Sequence, residues 1–171
     1  MFQVGDQILY PLHGVGFIKA IEEKEILGEC KIYFVVNIPK TNMQIMIPKE
    51  KADSFGVRKL VEPSIFEDIL KNFNLGDTDP QLLNNQKYCN EENTKKIKSG
   101  DIFKGTEIIR DLTRKSQISK LGKEDAKMLE DARHMFIAEL MHVKGISEEN
   151  AIDLVDSVLA EDIPDTEITG V

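Results

Sequence analysis

The chain carries, at residues 8–18, the run Ile8-Leu9-Tyr10-Pro11-Leu12-His13-Gly14-Val15-Gly16-Phe17-Ile18. Two short apolar segments, one ending at Pro11 and one resuming at Val15, enclose the turn residues His13 and Gly14. Short β-branched and aromatic runs separated by Pro and Gly are typical of antiparallel strands joined by tight turns. This run therefore predicts that the chain begins with antiparallel β structure.

The same pattern continues to about residue 60. A third apolar run at 31–36 follows a turn around Gly28, and a fourth at 43–47 stops at Pro48. In the fourth run Met43, Ile45 and Ile47 alternate with polar or partly polar positions, which predicts one buried strand face. Short strands at this spacing indicate a sandwich or a small five-stranded barrel. A barrel of this size has a thin core, so we expect it to dock on a partner rather than to enclose a deep active site.

From Val61 onward the apolar residues follow a helical period. Pro63-Ser64 opens a helix, residues 74–80 form a turn-rich linker, and residues 81–98 form a polar helix. Asp101 is expected to cap a helix that buries Ile102, Ile109 and Leu112, and this helix breaks at 121–122. A long helix then ends at Gly145, and a last one follows Ser147. The apolar positions expected in these last two helices are Ala126, Leu129, Ile137, Leu140, Val143, Ala151, Leu154, Val155 and Val158.

These patterns predict an α+β protein in four parts: a β module at 1–60, a helix and linker at 61–80, a compact helical domain at 81–160 and an acidic tail at 161–171. The chain of 171 residues has 41% hydrophobic and 30% charged residues. No apolar run approaches the roughly 20 residues of a membrane span, and no export signal is evident. With Cys30 and Cys89 far apart and at no metal-ligand spacing, we expect reduced thiols and a cytoplasmic location.

Positive charge is concentrated in one segment. Residues 87–123 contain ten basic and five acidic residues, a balance of +5 in a chain of net charge −8. From Glu124 to the end, three basic residues face thirteen acidic ones, a balance of −10. Such segregation indicates a phosphate-bearing or acidic partner. The alternative is an ordinary helical surface whose lysines and arginines are paired with Glu91, Glu92, Glu107 and Asp111.

Arg110 and Arg114 are spaced i, i+4 and so share one helix face, away from the apolar face of the same helix. This spacing predicts a basic stripe that points toward phosphates, and we expect its substitution to cost little stability. A cluster of this size gives weak, salt-dependent and sequence-independent DNA affinity. In an acidic protein with a pI near 5.0, such affinity needs tethering to a second partner.

No motif for catalysis is found. Glu139 and His142 have a Glu-x-x-His spacing, but a di-iron site needs a second copy, which the sequence lacks. His13 and His134 have no companion at a zinc-protease spacing, and no phosphate-cradling Gly-rich loop occurs. We predict a protein that is not an enzyme and that needs no metal, cofactor or small-molecule substrate.

The order of several short motifs resembles the CarD/CdnL family of bacterial transcription regulators. The motifs are Val4-Gly5-Asp6, Tyr10-Pro11-Leu12-His13-Gly14-Val15-Gly16, Ile21-Glu22, Gly28, Ile45-Met46-Ile47-Pro48, Lys98-Ser99-Gly100-Asp101, Ile109-Arg110-Asp111-Leu112 and Met128-Leu129-Glu130-Asp131-Ala132-Arg133. The same N-terminal module occurs as the polymerase-interacting domain of transcription-repair coupling factors. The resemblance covers the chain to about residue 160.

The resemblance implies a Tudor-like antiparallel β-barrel that grips the β subunit of RNA polymerase. It also implies a helical domain that lies at the upstream edge of the transcription bubble and stabilises the open promoter complex by non-specific contact with the minor groove or backbone. The polymerase-facing positions would be Lys24, Gln44, Ile45, Met46, Ile47 and Pro48. The candidate DNA-contacting positions are Lys87, Tyr88, Lys95, Lys96, Arg110, Arg114, Lys115, Lys127 and Arg133. The alternative is a polymerase-binding protein without productive DNA contact.

Two departures from the family pattern bear on these roles. Met46 stands where many relatives have an arginine, so an apolar contact would replace a charged anchor. The family also carries a tryptophan at the start of the basic stretch, which wedges beside an unstacked base step, and this chain has no tryptophan. The corresponding position is Asn84 or Gln86, and the nearest apolar or stacking residues are Leu82, Leu83 and Tyr88.

Overall fold

The computed structural model describes residues 1–161 and shows an N-terminal antiparallel sheet followed by six α-helices. This arrangement confirms the α+β class. The strands are β1 (Gln7–Tyr10), β2 (Gly14–Ile26), β3 (Glu29–Ile38), β4 (Met43–Pro48) and β5 (Arg58–Lys59). Their order across the sheet is β4-β3-β2-β1-β5, so β4 is an outer strand. The predicted tail from residue 162 onward lies outside the described residues.

Turn chemistry explains how the sheet is connected. Leu27 and Gly28 both adopt positive φ, 54° and 80°, between β2 and β3. Two consecutive residues at positive φ form the kind of two-residue turn whose twist matches an antiparallel hairpin. One face of the resulting sheet builds a small core, as the alternation predicted. Its buried members are Ile8, Ile18, Phe34, Val36, Ile38, Ile47, Ala52 and Val57. Met43, expected on this apolar face, is instead 46% exposed because it begins the outer strand.

The helices are α1 (Pro63–Asn72), α2 (Pro80–Asn84), α3 (Gln86–Lys98), α4 (Ile102–Ile118), α5 (Lys123–Lys144) and α6 (Glu148–Ala160). The predicted caps are confirmed. Asp101 accepts hydrogen bonds from the first-turn amides of α4, Ser147 accepts one from Asn150, and Gly145 ends α5 in the left-handed conformation. The break at 121–122 separates α4 from α5 as expected.

The helices enclose a second core, to which Phe66, Phe136 and Leu140 contribute. Ile102, Ile109 and Leu112 are buried in it, which confirms the predicted apolar face of α4. Ala126, predicted to lie in the core, is exposed. The first turns of α5 instead face the domain through Asp125, Met128 and Leu129, and the fully buried apolar positions begin at Ala132. No helix among residues 1–161 is long and apolar enough to cross a membrane.

The β module packs directly on the helical domain at a surface that we call the junction. The Arg58 guanidinium donates two hydrogen bonds of 2.7 Å to the carboxylate of Glu139, which is 1% exposed, and a third of 2.5 Å to the Gly100 carbonyl oxygen. The Val61 amide donates to the same carboxylate at 2.9 Å. A side chain at Gly100 would overlap the Gly56 carbonyl oxygen, so the two backbones lie in direct contact here.

Candidate nucleic-acid interface

Helices α3 and α4 form an antiparallel pair with two chemically different ends. The turn between them, at 99–101, lies against the β module at the junction. At the opposite end, the start of α3 meets the end of α4 and the start of α5. Contacts from Gln86 to Lys115 and Asp125, and from Asn90 to Glu124, connect these three helix termini. The helical pair therefore extends from the junction to the far end of the domain.

A buried polar network stabilises that far end. Lys115 Nζ donates to Asp125 at 2.6 Å, and their side chains are only 12% and 2% exposed. Gln86 bridges the pair, and the Cys89 thiol contacts the same carboxylate at 3.7 Å. Burial and the nearby Asp125 charge raise the pKa of the Cys89 thiol, so it stays protonated at neutral pH. Lys115 was predicted to contact DNA, but its ammonium is occupied within the protein.

Exposed lysines surround this network. Lys87 lies in the first turn of α3, Lys120 in the turn after α4, and Lys123 at the start of α5, and all three are exposed. We call this group the lysine end. The amino termini of α3 and α5 both lie here, and each adds the partial positive charge of a helix dipole. The exposed ammonium groups can attract phosphates by charge, while Asn85 caps α3 and Glu124 and Asp125 occupy the first turn of α5. Lys120 and Lys123 were missed by the site prediction, although the charge count of segment 87–123 included them.

The predicted stripe of Arg110 and Arg114 has a different role. Arg110 donates to the Leu75 carbonyl at 2.6 Å and to Asp111 at 2.8 Å, and its side chain is 11% exposed. Arg114 donates to the Asn74 and Gly76 carbonyls at 2.7 and 2.8 Å. Both arginines therefore hold the 74–78 linker against α4. Their substitution was expected to cost little stability, but these contacts predict a loss, because an i, i+4 spacing shows which face the two arginines share and not what covers it.

The remaining DNA candidates lie on the helical surface in ion pairs of varying exposure. Lys95 pairs with Glu92, Lys96 with Glu107, Lys127 with Asp131, and Arg133 with Asp156. The Lys95 and Lys127 side chains are mostly exposed, and such pairs are weak enough in water to exchange for phosphates. Lys96 and Arg133 are mostly covered. Of the predicted set, Lys87, Lys95 and Lys127 are the most available to a nucleic acid.

The resemblance implies Asn84 or Gln86 as the position of a tryptophan, and both are exposed: Asn84 ends α2 and Gln86 begins α3. Leu82 is buried in the core. The Tyr88 hydroxyl donates to Asp79 at 3.1 Å, which raises its pKa. The most exposed large apolar side chain in the adjoining helix termini is Ile118, 72% exposed at the end of α4. The sequence did not predict that Ile118 is exposed, because it is an apolar residue in a helix predicted to bury one apolar face.

The predicted polymerase-facing residues divide between the two faces of β4. Ile47 is 1% exposed and Ile45 packs beside it in the β-module core, so these two maintain the fold. Gln44 and Met46 point to the opposite face, where Met46 Sδ lies 3.6 Å from the Lys24 ammonium. The structure thus brings Lys24 and Met46 together, although 22 residues separate them in sequence.

That opposite face of the sheet is shared between two surfaces. Leu9 and Val15, at one end, are buried and line clefts that Phe136 and Ile137 of α5 also line. Further along, Phe17 is 37% exposed beside the Gln44, Met46 and Lys24 group. The outer edge of β4 pairs with no other strand among residues 1–161. This part of the sheet is therefore open to a partner.

The histidines form no recognisable catalytic or metal site. Glu139 is committed to Arg58 at the junction, while His142 is exposed and hydrogen-bonds the Ala138 carbonyl through Nδ1 at 2.7 Å. His13 and His134 line a shallow cleft between the β module and α5. Within residues 1–161, no three His, Cys, Asp or Glu side chains are placed to hold a metal ion.

Comparison with known proteins matches both halves of the chain. The CarD-like/TRCF RID domain matches residues 2–61, and the C-terminal domain of CarD matches residues 69–156. A protein of Bacillus subtilis (strain 168) named "Putative transcription factor YdeB" is 42% identical over 148 residues, which cover 86% of this chain and 95% of that protein. Strand β4 lies within the first matched range and the lysine end within the second.

Proposed function

This chain belongs to the CarD family of transcription regulators, and we propose that it docks on the β subunit of RNA polymerase while its helical domain contacts upstream promoter DNA. The docked protein would prolong the open promoter complex in the cytoplasm. The proposal is supported by one observation, the separation of two exposed surfaces. The β module presents an open strand edge, and the lysine end lies at the other side of the molecule.

The polymerase contact is assigned to the outer edge and exposed face of β4. An unpaired edge offers main-chain hydrogen bonds to an added strand, and the side chains of alternate residues supply specificity. Gln44 and Met46 are the alternate residues on the exposed face, with Lys24 beside them. Met46 would contribute an apolar contact and Lys24 the positive charge. Ile45 and Ile47 would act indirectly, by keeping β4 in place.

The DNA contact is assigned to the lysine end. Lys87, Lys120 and Lys123 are exposed, and three termini of packed helices fix their backbones. Such a surface recognises phosphates and carries no base-reading element, so the contact would be independent of sequence. Free duplex affinity would be weak in a chain of net charge −8, and docking on polymerase would raise the effective concentration of the DNA site.

The test of the DNA contact replaces Lys87, Lys120 and Lys123 together by Ala and measures the lifetime of the open promoter complex at two salt concentrations. We expect the promoter effect to be lost and polymerase binding to remain, because the substitutions are remote from β4. The salt dependence should weaken by roughly 0.9 in log–log slope for each phosphate contact removed. Lys104→Ala, an exposed lysine near the junction end of α4, is the matched control. A triple variant that prolongs the complex like the parent would refute the assignment.

A second substitution tests the polymerase contact. Met46→Asp puts a charge on the exposed face of β4 and should lower polymerase affinity at least about tenfold, since an unpaired charge is costly to bury in an interface. The thermal melt should remain that of the parent, whereas Ile47→Asp should unfold the β module. Ser64→Asp, at an exposed position of α1 in the helical domain, is the control. Unchanged polymerase affinity in Met46→Asp would exclude this face.

The alternative, docking without productive DNA contact, is favoured by one observation. Several lysines of α3 have acidic neighbours: Lys87 with Glu91, Lys95 with Glu92 and Lys96 with Glu107. If these pairs persist in the complex, little positive charge remains for phosphates. A parent protein that binds polymerase and leaves the open-complex lifetime unchanged would establish this alternative.

A further inference from the structure

We infer that the Arg58–Glu139 ion pair is a positioning device, which fixes the angle between the β module and the helical domain so that polymerase and DNA are engaged together. The inference rests on the function proposed above and deepens it. Neither residue would touch either partner. Their effect would be exerted through the orientation of the α3–α4 pair.

The junction geometry supports a rigid connection. Arg58 makes a two-pronged contact with Glu139 at 2.7 Å for both bonds, and its third nitrogen reaches the Gly100 carbonyl. Three bonds in one plane define an orientation as well as a distance. The Val61 amide also donates to Glu139, which ties the chain leaving the β module to the same carboxylate. The three Arg58 nitrogens and the Val61 amide thus donate to two acceptors, the Gly100 carbonyl between α3 and α4 and the Glu139 carboxylate on α5.

Close backbone contact adds to this constraint. Gly56 has φ of 74° and Gly100 has φ of 72°, and a side chain at either would collide with the backbone of the other segment. The Leu12 amide also donates to the Met135 sulfur at 3.4 Å across the same surface. Packed surfaces of this kind have discrete arrangements rather than a continuous range.

The length of the helices makes the junction angle important. Helix α3 has 13 residues, so the lysine end lies about 20 Å from the junction at 1.5 Å per residue. A rotation of roughly 10° at the junction would displace the lysine end by about 3 Å, comparable to a whole hydrogen-bond length. A protein bound to polymerase by its β module would then present its lysines away from the phosphates.

A buried ion pair is a suitable device for this purpose. Replacing such a pair by apolar residues is often neutral for stability, so what distinguishes the pair from an apolar contact is the specific arrangement that it imposes. An apolar junction would hold the domains together without fixing one angle. The bidentate geometry that selects the angle requires arginine, because lysine offers a point charge without a planar fork.

The experiment compares Arg58→Lys and Glu139→Gln with the parent, using three measurements on the full chain: polymerase affinity, duplex affinity of the free protein and open-complex lifetime. We expect the first two to remain within about twofold of the parent. The lifetime effect should fall at least about fivefold, because the effective concentration of the lysine end near its phosphates is reduced. Lys40→Ala is the control, since it removes the exposed Lys40–Glu148 pair that crosses between the same domains.

A distance measurement separates positioning from a merely structural role. Cys30 is exposed in the β module and Cys89 is fully buried, so a spin label reacts at Cys30 and at an introduced Lys120→Cys. The interdomain distance distribution should be narrow in the parent background and broaden in Arg58→Lys. An unchanged width would overturn the inference, as would a broadened distribution with a normal lifetime effect. A parent protein without any promoter effect would refute the proposed function instead, and the distance measurement would still decide the role of the junction.

Discussion

The two ends of the α3–α4 pair show how one helical hairpin serves opposite requirements. At the junction end, charge is buried and paired: Glu139 is 1% exposed and meets Arg58 in two hydrogen bonds. At the lysine end, charge is exposed around Lys87, Lys120 and Lys123, and two helix amino termini add to it. The junction end uses electrostatics to define a geometry, while the lysine end keeps electrostatics available for a partner.

This difference implies that substituting the paired charges at the junction lowers stability, whereas substituting the exposed lysines does not. Removing one partner of a buried pair leaves an uncompensated charge, and the fold loses stability. Removing an exposed lysine leaves nothing uncompensated, and the fold is barely affected. Substitution of the exposed lysines should therefore change DNA contact with little effect on stability. Substitution in either buried pair, Arg58–Glu139 at the junction or Lys115–Asp125 beneath the lysine end, should lower stability.

Among alanine substitutions in the helical domain, the largest loss of stability is expected for Glu139→Ala. The change leaves the Arg58 guanidinium and the Val61 amide without their carboxylate, and breaking a buried pair costs about 3–5 kcal/mol. Urea denaturation of the full chain measures the free energy of unfolding. Asp156→Ala is the control, since it breaks the Arg133 ion pair at a carboxylate that is 56% exposed and should cost less than about 1 kcal/mol. Equal losses in the two variants would mean that the junction carries no special constraint.

Arg110→Ala should cause the next largest loss of stability. It removes charged hydrogen bonds to the Leu75 carbonyl and to Asp111, which is itself buried, and bonds of this type contribute about 1.5–3 kcal/mol. The amides of the 74–78 linker should also exchange with deuterium faster. Lys104→Ala, on an exposed position of the same helix, should change neither quantity. If Arg110→Ala unfolds at the same urea midpoint as the parent, the contacts of Arg110 with the linker do not contribute to stability.

Local sequence signals predicted most helices and strands of this fold, but the polar helix expected at 81–98 is two helices, α2 and α3, separated at Asn85. Asp101, Ser147 and Gly145 cap helices at the positions expected, because capping depends on residues within one turn. The strands were also predicted, since Gly28 and Pro48 mark turns by their own backbone preferences. Caps and turns can be predicted without information on tertiary contacts, because they depend on neighbouring residues in the sequence.

The partners of charged side chains could not be predicted in this way. Arg58 and Glu139 lie 81 residues apart, and nothing local to Glu139 indicates a buried ion pair rather than the metal-type spacing with His142. The same limit explains the error for Arg110 and Arg114, whose acceptors are carbonyl oxygens of a linker more than 30 residues away. Charge counting located the basic segment correctly but could not tell which of its members face outward.

The stability of the protein should also depend on pH, through the Cys89 thiol. Burial raises the pKa of the Cys89 thiol in the folded state, so the folded protein holds this proton more tightly than the unfolded chain. The corresponding stability is fully present below the ordinary thiol pKa of about 8.5 and is lost as the pH rises through the folded value. The free energy of unfolding should therefore fall between neutral and alkaline pH. This loss would report on the network beneath the lysine end.

Variants of the two cysteines assign that pH dependence. Cys89→Ala should flatten the alkaline fall, whereas Cys30→Ala, at an exposed position, should leave it unchanged. A thiol reagent should also modify Cys30 rapidly and Cys89 only on unfolding. Fast modification of both thiols in the folded protein would show that the network opens readily, which would contradict a rigid far end.

The smallest change in the free energy of unfolding is expected when a single lysine is replaced at either end of the α3–α4 pair. The sign of this change should differ between the two ends. Lys123 lies at the start of α5, which has no side-chain cap, so its charge opposes the helix dipole, whereas Lys98 lies at the end of α3, where positive charge is favourable. Lys123→Ala should raise the free energy of unfolding by about 0.3–1 kcal/mol, and Lys98→Ala should lower it by a similar amount. The measurement is the shift of the urea midpoint at low ionic strength, and both shifts should shrink as salt is added, because these charges are exposed. A destabilised Lys123→Ala would mean that this lysine is required by the fold. A stabilised Lys123→Ala together with a destabilised Lys98→Ala would show that the charge of Lys123 disfavours folding slightly. Such a cost is expected of a residue that serves binding rather than stability.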